Sequence, residues 1–352
     1  MSERVLYRKY RPEKWSEVVG QAPIVEVLKA AVANNTIAHA YLFSGSRGTG
    51  KTSVARIFAD AVGCTPTDLY EMDAASNRGI DDVRELREAV TALPFESSYK
   101  VYIIDEVHML TKEAFNALLK TLEEPPTHVI FILATTDLNS VPETIVSRCQ
   151  TFVFKKPSRE ELMKHLTSIA KKEEYTLEKG AADLITTLGD GSFRDALGVL
   201  QKVMTVTPPT GRAGKDTTLT RDEVARVTGA PKTELVHTIV RAMADSKTDE
   251  ALTAVVQALD ENIDIKVLTR LVMHTLRQAM LVLFAPDIRA ELKKELSAEE
   301  YEFAEALGNG EGAKRLPSLL RELLNAYALI ETSPEPALPL ELAIITAGRQ
   351  DK

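Results

Sequence analysis

Apolar residues in the first 135 positions gather in short unbroken runs. Ala40 to Ser44, Val101 to Ile104 and Val129 to Ala134 are rich in β-branched and aromatic side chains. They lack the alternation of a half-solvated strand, so they predict parallel strands covered on both faces. Between them the spacing becomes helical. Residues 51–62 carry Val54, Ala55, Ile57, Phe58 and Ala61, and Thr111 to Glu123 carries Phe115, Leu118, Leu119 and Leu122 on one face. Pro125-Pro126 stops that second helix. Strands alternating with helices predict an α/β fold with a parallel sheet.

After Phe154 the pattern changes. Pro157-Ser158 opens a helix with Ser158 and Glu161 at capping-box spacing, followed by Leu162, Leu166 and Ile169. A second helix covers about 180–188, and a third starts near Ser192, where Ser192 and Asp195 repeat the spacing. Residues 207–218, rich in Thr, Pro and Gly, read as a linker. Thr220 and Glu223 form another capping pair, and helical spacing then runs to about 345, with turns near 286, 308–312 and 334–339. The expected domains are an α/β domain over 1–156, a small helical domain over 157–210 and a larger helical domain over 218–348.

Composition narrows the class. Of 352 residues, 44 % are hydrophobic and 27 % charged, which excludes a disordered chain. Two cysteines, Cys64 and Cys149, exclude a disulfide framework. Met1 to Trp15 lacks the apolar core of a signal peptide, and the longest apolar runs, such as Ala279 to Ala285, are too short for a bilayer. These features predict a soluble, cytoplasmic protein without membrane contact. The net charge of −8 argues against a protein that simply coats nucleic acid. The balance is local, however: residues 1–60 hold nine basic and five acidic side chains, a net of +4.

That basic end carries the strongest chemical signal. Gly45-Ser46-Arg47-Gly48-Thr49-Gly50-Lys51-Thr52 matches the phosphate-loop pattern between a predicted strand and a predicted helix. Such a loop turns backbone N–H groups onto phosphate oxygens, Lys51 neutralises the β- and γ-phosphates, and Thr52 offers a hydroxyl to Mg²⁺. Asp105-Glu106 follows the second strand and falls on the same sheet edge as the loop. Asp105 suits Mg²⁺ binding, and Glu106 suits polarising an attacking water. Thr135 and Thr136 close the third strand. Thr136 is the candidate for orienting water or the γ-phosphate, beside the alternative of a local side-chain turn.

These motifs, with Tyr10-Arg11-Pro12, Val18-Val19-Gly20-Gln21, His39 to Gly45, Asp73-Ala74-Ala75-Ser76, Asp105 to Leu110, Leu118 to Pro126, Ser147-Arg148-Cys149, Gly191 to Leu197 and Pro339 to Ala343, resemble the bacterial DNA polymerase III γ/τ subunits. That family supplies the ATPase subunit of the sliding-clamp loader and belongs to the AAA+ superfamily. The resemblance implies an AAA+ domain, a helical lid and an all-helical oligomerisation collar, with ATP and Mg²⁺ as cofactors. It implies a hetero-oligomer with other loader subunits, expected as a pentamer, acting on a sliding clamp and on the backbone of primer–template DNA. Arg148 resembles an arginine finger acting in trans, Arg194 the second sensor, and Val18, Val19 and Arg11 nucleotide contacts. Arg84 and Lys120 match DNA-facing positions. Arg78 lies beside one, where this chain has Asn77, and Ser140 also stands where a basic residue is expected.

Two features depart from the family. Its four-cysteine zinc module is replaced by Gly63 to Met72, with Cys64 alone, so no zinc is expected. The long polymerase- and helicase-binding tail is likewise not expected within these 352 residues. Two other readings compete: a non-hydrolysing structural subunit like the family's δ′, which the intact Lys51, Asp105 and Glu106 disfavour, and a related branch-migration motor, which Ser147-Arg148-Cys149 and the helical third domain disfavour.

Overall fold

A computed structural model describes residues 5–207, 217–296 and 298–349. The order of elements in the first part is α1 (Leu6–Lys9), α2 (Ala22–Ala33), β1 (Ala40–Ser44), α3 (Lys51–Ala61), β2 (Leu69–Asp73), α4 (Ile80–Thr91), β3 (Lys100–Asp105), α5 (Lys112–Glu123), β4 (Val129–Thr135), α6 (Glu143–Val146) and β5 (Gln150–Val153). Helices α7 (Arg159–Lys172), α8 (Lys179–Leu188) and α9 (Phe193–Val206) follow, with β6 (Tyr175–Leu177) before α8 and β7 (Thr217–Leu219) after α9. The remainder is α10 (Arg221–Thr228), α11 (Thr233–Ala244), α12 (Thr248–Asp260), α13 (Ile265–Phe284), α14 (Arg289–Glu295), α15 (Ala298–Asn309), α16 (Leu316–Leu329) and α17 (Leu338–Arg349).

Strands β1 to β5 form one parallel sheet in the order β2-β3-β4-β1-β5. The three unbroken apolar runs are its three central strands, buried on both faces as expected. One face packs Leu42, Ile104, Phe131 and Leu133 against Leu118, Leu122 and Ile145. The other packs Tyr41, Phe43, Ile103 and Ile132 against Val54 and Phe58 of α3 and Leu28 of α2. The sheet therefore has two more strands than the apolar runs predict. β2 and β5 are its edges and are largely exposed, so their sequences lack the apolar signature of a covered strand.

The chain packs as two compact units. One runs to His165 and takes in Gly189–Gly198; the other holds Leu166–Leu188 and Val199 onwards. In the first unit, the predicted capping box is present: Ser158 N donates to Glu161 Oε2 at 2.8 Å and Glu161 N donates to Ser158 Oγ at 3.2 Å. At Ser192 the first half forms, with Asp195 N donating to Ser192 Oγ at 3.2 Å, whereas Ser192 N donates to Gly189 O at 2.8 Å.

In the second unit, α11 packs on α12, α13 on α15 and α16, and α16 on α17. Thr220 and Glu223 cap α10 reciprocally. Most of the expected linker, 208–216, lies outside the described residues. Its end does not behave as a linker, because Thr217–Leu219 pairs in parallel with Tyr175–Leu177. Helix α13, with 20 residues, extends beyond any single unbroken apolar run. Its most apolar 18-residue stretch has a mean hydropathy of 1.3, so by length and composition alone it could span a membrane. Thr269, Arg270 and His274 interrupt the run, while Leu268, Leu271, Val272, Leu276 and Ala279 recur at helical spacing and are buried within the unit.

One buried carboxylate organises the sheet edge. Asp68, just before β2, accepts hydrogen bonds from the backbone N–H groups of Phe95, Glu96 and Ser97 at 2.6, 2.9 and 2.8 Å. Burial alone would raise its pKa, but these donors outweigh it and hold the group down at about 2. A depressed folded pKa stabilises the fold above the unfolded value, near 4, and that contribution disappears as pH falls from about 4 to about 2. Asp68→Asn should lower unfolding free energy at pH 7 by about 2 kcal/mol and flatten the acid limb of a urea-unfolding pH series. An unchanged acid limb would contradict this role.

Candidate functional site

The C-terminal ends of β1, β3 and β4 lie side by side, because β4 separates β1 from β3 and Ser44 is in register with Thr135. The phosphate-loop sequence leaves β1 at this edge and ends on the first turn of α3. Gly45, Gly48 and Gly50 all adopt positive φ. At Gly45 a side chain would collide with the backbone of Phe154, and at Gly48 with Ser192. Phe193 N donates to Gly48 O at 3.1 Å, so the segment opening α9 lies directly on the loop. Ser46 O accepts the Thr49 hydroxyl at 2.9 Å, which tightens the turn. Arg47 is exposed.

Lys51, the first residue of α3, is buried. Its ammonium donates to Gly45 O at 2.6 Å and Ser46 O at 3.0 Å. Burial lowers its pKa, the nearby Glu106 and Asp105 charges oppose that shift, and Arg194 adds to it. Thr52 Oγ1 donates to Asp105 Oδ2 at 2.7 Å, which ties α3 to the end of β3. Arg11 reaches the same helix: its Nε donates to Ser53 Oγ at 3.1 Å. Burial lowers the Arg11 pKa as well, reinforced by Arg56 and opposed by Glu71.

Glu106 sits in the left-handed region at φ 49°. Its Oε2 accepts the Thr136 hydroxyl at 2.9 Å and Thr136 N at 3.3 Å. The local side-chain turn forms at Thr135 and not at Thr136. Thr135 makes the local turn, accepting from Asp137 N at 3.0 Å and donating to Asp137 O at 2.9 Å, while Thr136 meets Glu106. His108 joins them, with Nδ1 2.9 Å from Thr135 Oγ1 and 3.6 Å from Glu106 Oε2. From sequence, Ser192 has only a helix-capping role, and no site role falls to Ser53 or His108. His108 directly follows the acidic pair by two positions, which was the available signal; Ser53 and Ser192 meet their partners only through the fold.

The guanidinium of Arg194 lies 5.8 Å from the centre of the Tyr7 ring and belongs to the same electrostatic cluster as Lys51 and Arg11. Val18 packs against the sheet core, and Val19 is half-buried. Arg148 makes a separate set of contacts. Its Nη1 donates to Thr144 O at 2.8 Å and its Nη2 pairs with Glu123 Oε1 at 2.8 Å. Lys120 is exposed on α5, and Arg78 is exposed with Nε donating to Ala75 O at 2.8 Å. Arg84 lies on α4, and its side chain is outside the described residues. At the Ser140 position the hydroxyl donates to Asp137 Oδ2 at 2.5 Å.

Comparison with known proteins adds to this geometry. A family model described as DNA polymerase III, delta subunit, matches residues 20–79 and 68–158. A second, described as DNA polymerase III subunits gamma and tau domain III, matches 219–351. DNA polymerase III subunit tau of Bacillus subtilis is 35 % identical over 98 % of this chain and 63 % of its own length. The tau subunit of Escherichia coli is 35 % identical over 87 % of this chain and 49 % of its own. The chain thus spans roughly half to two thirds of these relatives. Among solved structures, the RuvB Holliday junction branch migration motor of Thermotoga maritima covers 66 % of this chain and 79 % of its own, with a TM-score of 0.52 and 22 % identity. That likeness concerns the fold alone. The matches to both parts of the chain, with the motifs that carry them, show that it belongs to the bacterial DNA polymerase III γ/τ subunit family.

Proposed function

We propose that this chain is an ATP-hydrolysing subunit of the replicative sliding-clamp loader. In this reading, ATP binding drives clamp opening and loading on primed DNA, and hydrolysis releases the clamp. The observation that carries the proposal is the convergence at one sheet edge of a glycine-lined loop, a buried lysine, the Thr52–Asp105 pair and the Glu106–Thr136 pair.

The residues suit a nucleotide with Mg²⁺. Gly45 and Gly48 keep the loop clear where side chains would collide, and the buried Lys51 ammonium is complementary to a polyphosphate. Thr52 and Asp105 offer hard oxygen ligands of the kind Mg²⁺ prefers. Among the described residues no three His, Cys, Asp or Glu side chains gather as a metal cage. A Mg²⁺ ion here would therefore draw on phosphate and water oxygens, as is usual for a nucleotide-borne ion. ATP supplies the phosphoanhydride bond that is cleaved. Lys51 and the loop N–H groups hold the phosphates, Glu106 Oε2 takes up a proton from the attacking water, and Thr136 fixes the Glu106 carboxylate. Arg194 contributes positive charge from the lid segment, and Val18, Val19 and Arg11 flank the base and sugar.

Arg148 acts on the neighbouring subunit, which makes hydrolysis depend on assembly. Its present partners, Glu123 and the Thr144 carbonyl, keep the guanidinium at the chain's surface, half-exposed. Other loader subunits, the clamp and primer–template DNA are the partners in this proposal. The three domains serve as nucleotide-binding domain over 1–156, lid over 157–210 and collar over 218–348. The compartment is the cytoplasm, where replication proteins of this family work.

The proposal sets three expectations. Lys51→Ala abolishes turnover, and Glu106→Gln retains ATP binding while lowering kcat by about 10²-fold or more; full turnover in either variant contradicts the site. Arg148→Ala binds ATP normally and loses about 10³-fold in turnover within the assembled complex. If the isolated chain hydrolyses as fast as the complex, the trans role is wrong. Replacing Lys120 and Arg84 by alanine reduces the slope of log affinity for primed DNA against log salt by about 2, measured by anisotropy. An unchanged slope removes both residues from the DNA surface.

A further inference from the structure

The motif Val18-Val19-Gly20-Gln21 contains a polar residue with no part in the nucleotide reading. Gln21 stands at the N-cap position of α2, yet its side chain makes no cap hydrogen bond to that helix. It is 2 % exposed, and its amide reaches a residue 134 positions away instead. Nε2 donates to Lys155 O at 2.8 Å, and Lys155 N donates to Oε1 at 3.3 Å. One amide thus pairs both backbone groups of one residue, as a neighbouring strand would. A buried amide paired at both ends holds its partner in place, because displacing it leaves polar groups unmade.

Lys155 is the middle of a three-residue strap that follows β5. Phe154 N donates to Ser44 O at 2.7 Å, and a Cβ on Gly45 would collide with Phe154 O. Lys156 Nζ donates to Asp190 O at 3.1 Å. Asp190 has φ 48° and Gly191 φ 72°, and a Cβ on Gly191 would stand 3.0 Å from the Lys156 side chain. Consecutive left-handed residues make a tight turn with few alternative paths. The turn leads directly to Ser192, which lies against Gly48, and then to Arg194. The strap therefore meets the phosphate loop at one end and the turn that delivers Arg194 at the other. All of these residues belong to the first unit.

We propose that Gln21 and Lys156 are positioning residues of the nucleotide site: Gln21 fixes the strap, and Lys156 extends that fixed point to the Asp190 turn, which sets the place of Arg194. The inference rests on the reading that the phosphate loop binds ATP. Neither side chain has to touch the nucleotide. The Lys156 side chain is 53 % exposed, so its ion pair with the Asp190 carboxylate adds little to stability. Its hydrogen bond to the Asp190 carbonyl acts instead on where the turn lies.

The test follows binding of the slowly hydrolysed analogue ATPγS, with Mg²⁺, to the full chain by calorimetric titration. Lys156→Met keeps the stem and removes the donor. It should weaken ATPγS by about 3- to 10-fold while the melting midpoint stays within about 2 °C. Lys156→Arg should hold affinity within about 2-fold, because it restores the donor. In a chain that already carries Arg194→Ala, Lys156→Met should cost nothing further, since the group it positions is gone. Gln21→Leu should show the same dependence on Arg194; if it does not fold, the Lys156 cycle decides alone. Unchanged affinity in Lys156→Met, or an equal loss with and without the Arg194 side chain, would overturn the inference and leave the nucleotide reading standing. Failure of the unaltered chain to bind ATPγS would overturn both.

Discussion

The hydrogen bond from Thr52 Oγ1 to Asp105 Oδ2, at 2.7 Å, joins the first turn of α3 to the last residue of β3 across an intervening strand. Its two ends are separated by 53 residues in sequence, yet their positions follow from parallel pairing, which brings neighbouring strand ends to one edge. The candidate site residues of the first unit are arranged around that link. Lys51 precedes Thr52 and is held against Gly45 and Ser46, and Glu106 follows Asp105 in a left-handed conformation that turns its carboxylate to Thr136. A helix N-terminus facing a strand end brings the glycine-lined loop and the acidic pair to one place.

That arrangement rests on a sheet whose central strands are sealed from water on both sides. Tyr41, Phe43 and Phe58 pack on one face, with Tyr41 and Phe58 edge to face at 4.9 Å, while Leu118 and Leu122 cover the other. Close packing of this kind resists small displacements, so the strand ends can hold hydrogen-bonded groups in register. The second unit has a different logic. Its helices bury apolar stripes against one another, and the 20-residue α13 gains its cover from α11, α15 and α16.

How much of this was legible in the sequence varied with burial and with distance along the chain. The strands around Leu42, Ile103 and Ile132 were readable because full burial writes an uninterrupted apolar run. The edges β2 and β5 were not, because exposed strands tolerate Glu71 and Gln150. The short pair β6 and β7 was hidden because one partner lies at the end of a Thr- and Gly-rich stretch. Local chemistry transferred well, as the reciprocal caps at Ser158 and Thr220 show. Side chains that meet across the fold were harder: Thr136 could be chosen over Thr135 only as a preference, and the Ser192 approach to Gly48 had no local signal. The family resemblance supplied roles for Arg148 and Arg194 that spacing alone does not contain.

The proposed activity is ATP hydrolysis at this site under the control of assembly. Phosphate release followed as partner subunits, clamp and primed DNA are added in turn tests it most directly. Slow release by the chain alone and a stepwise rise, greatest once primed DNA is present, are expected. No release at any stage, or a full rate from the chain alone, would contradict it.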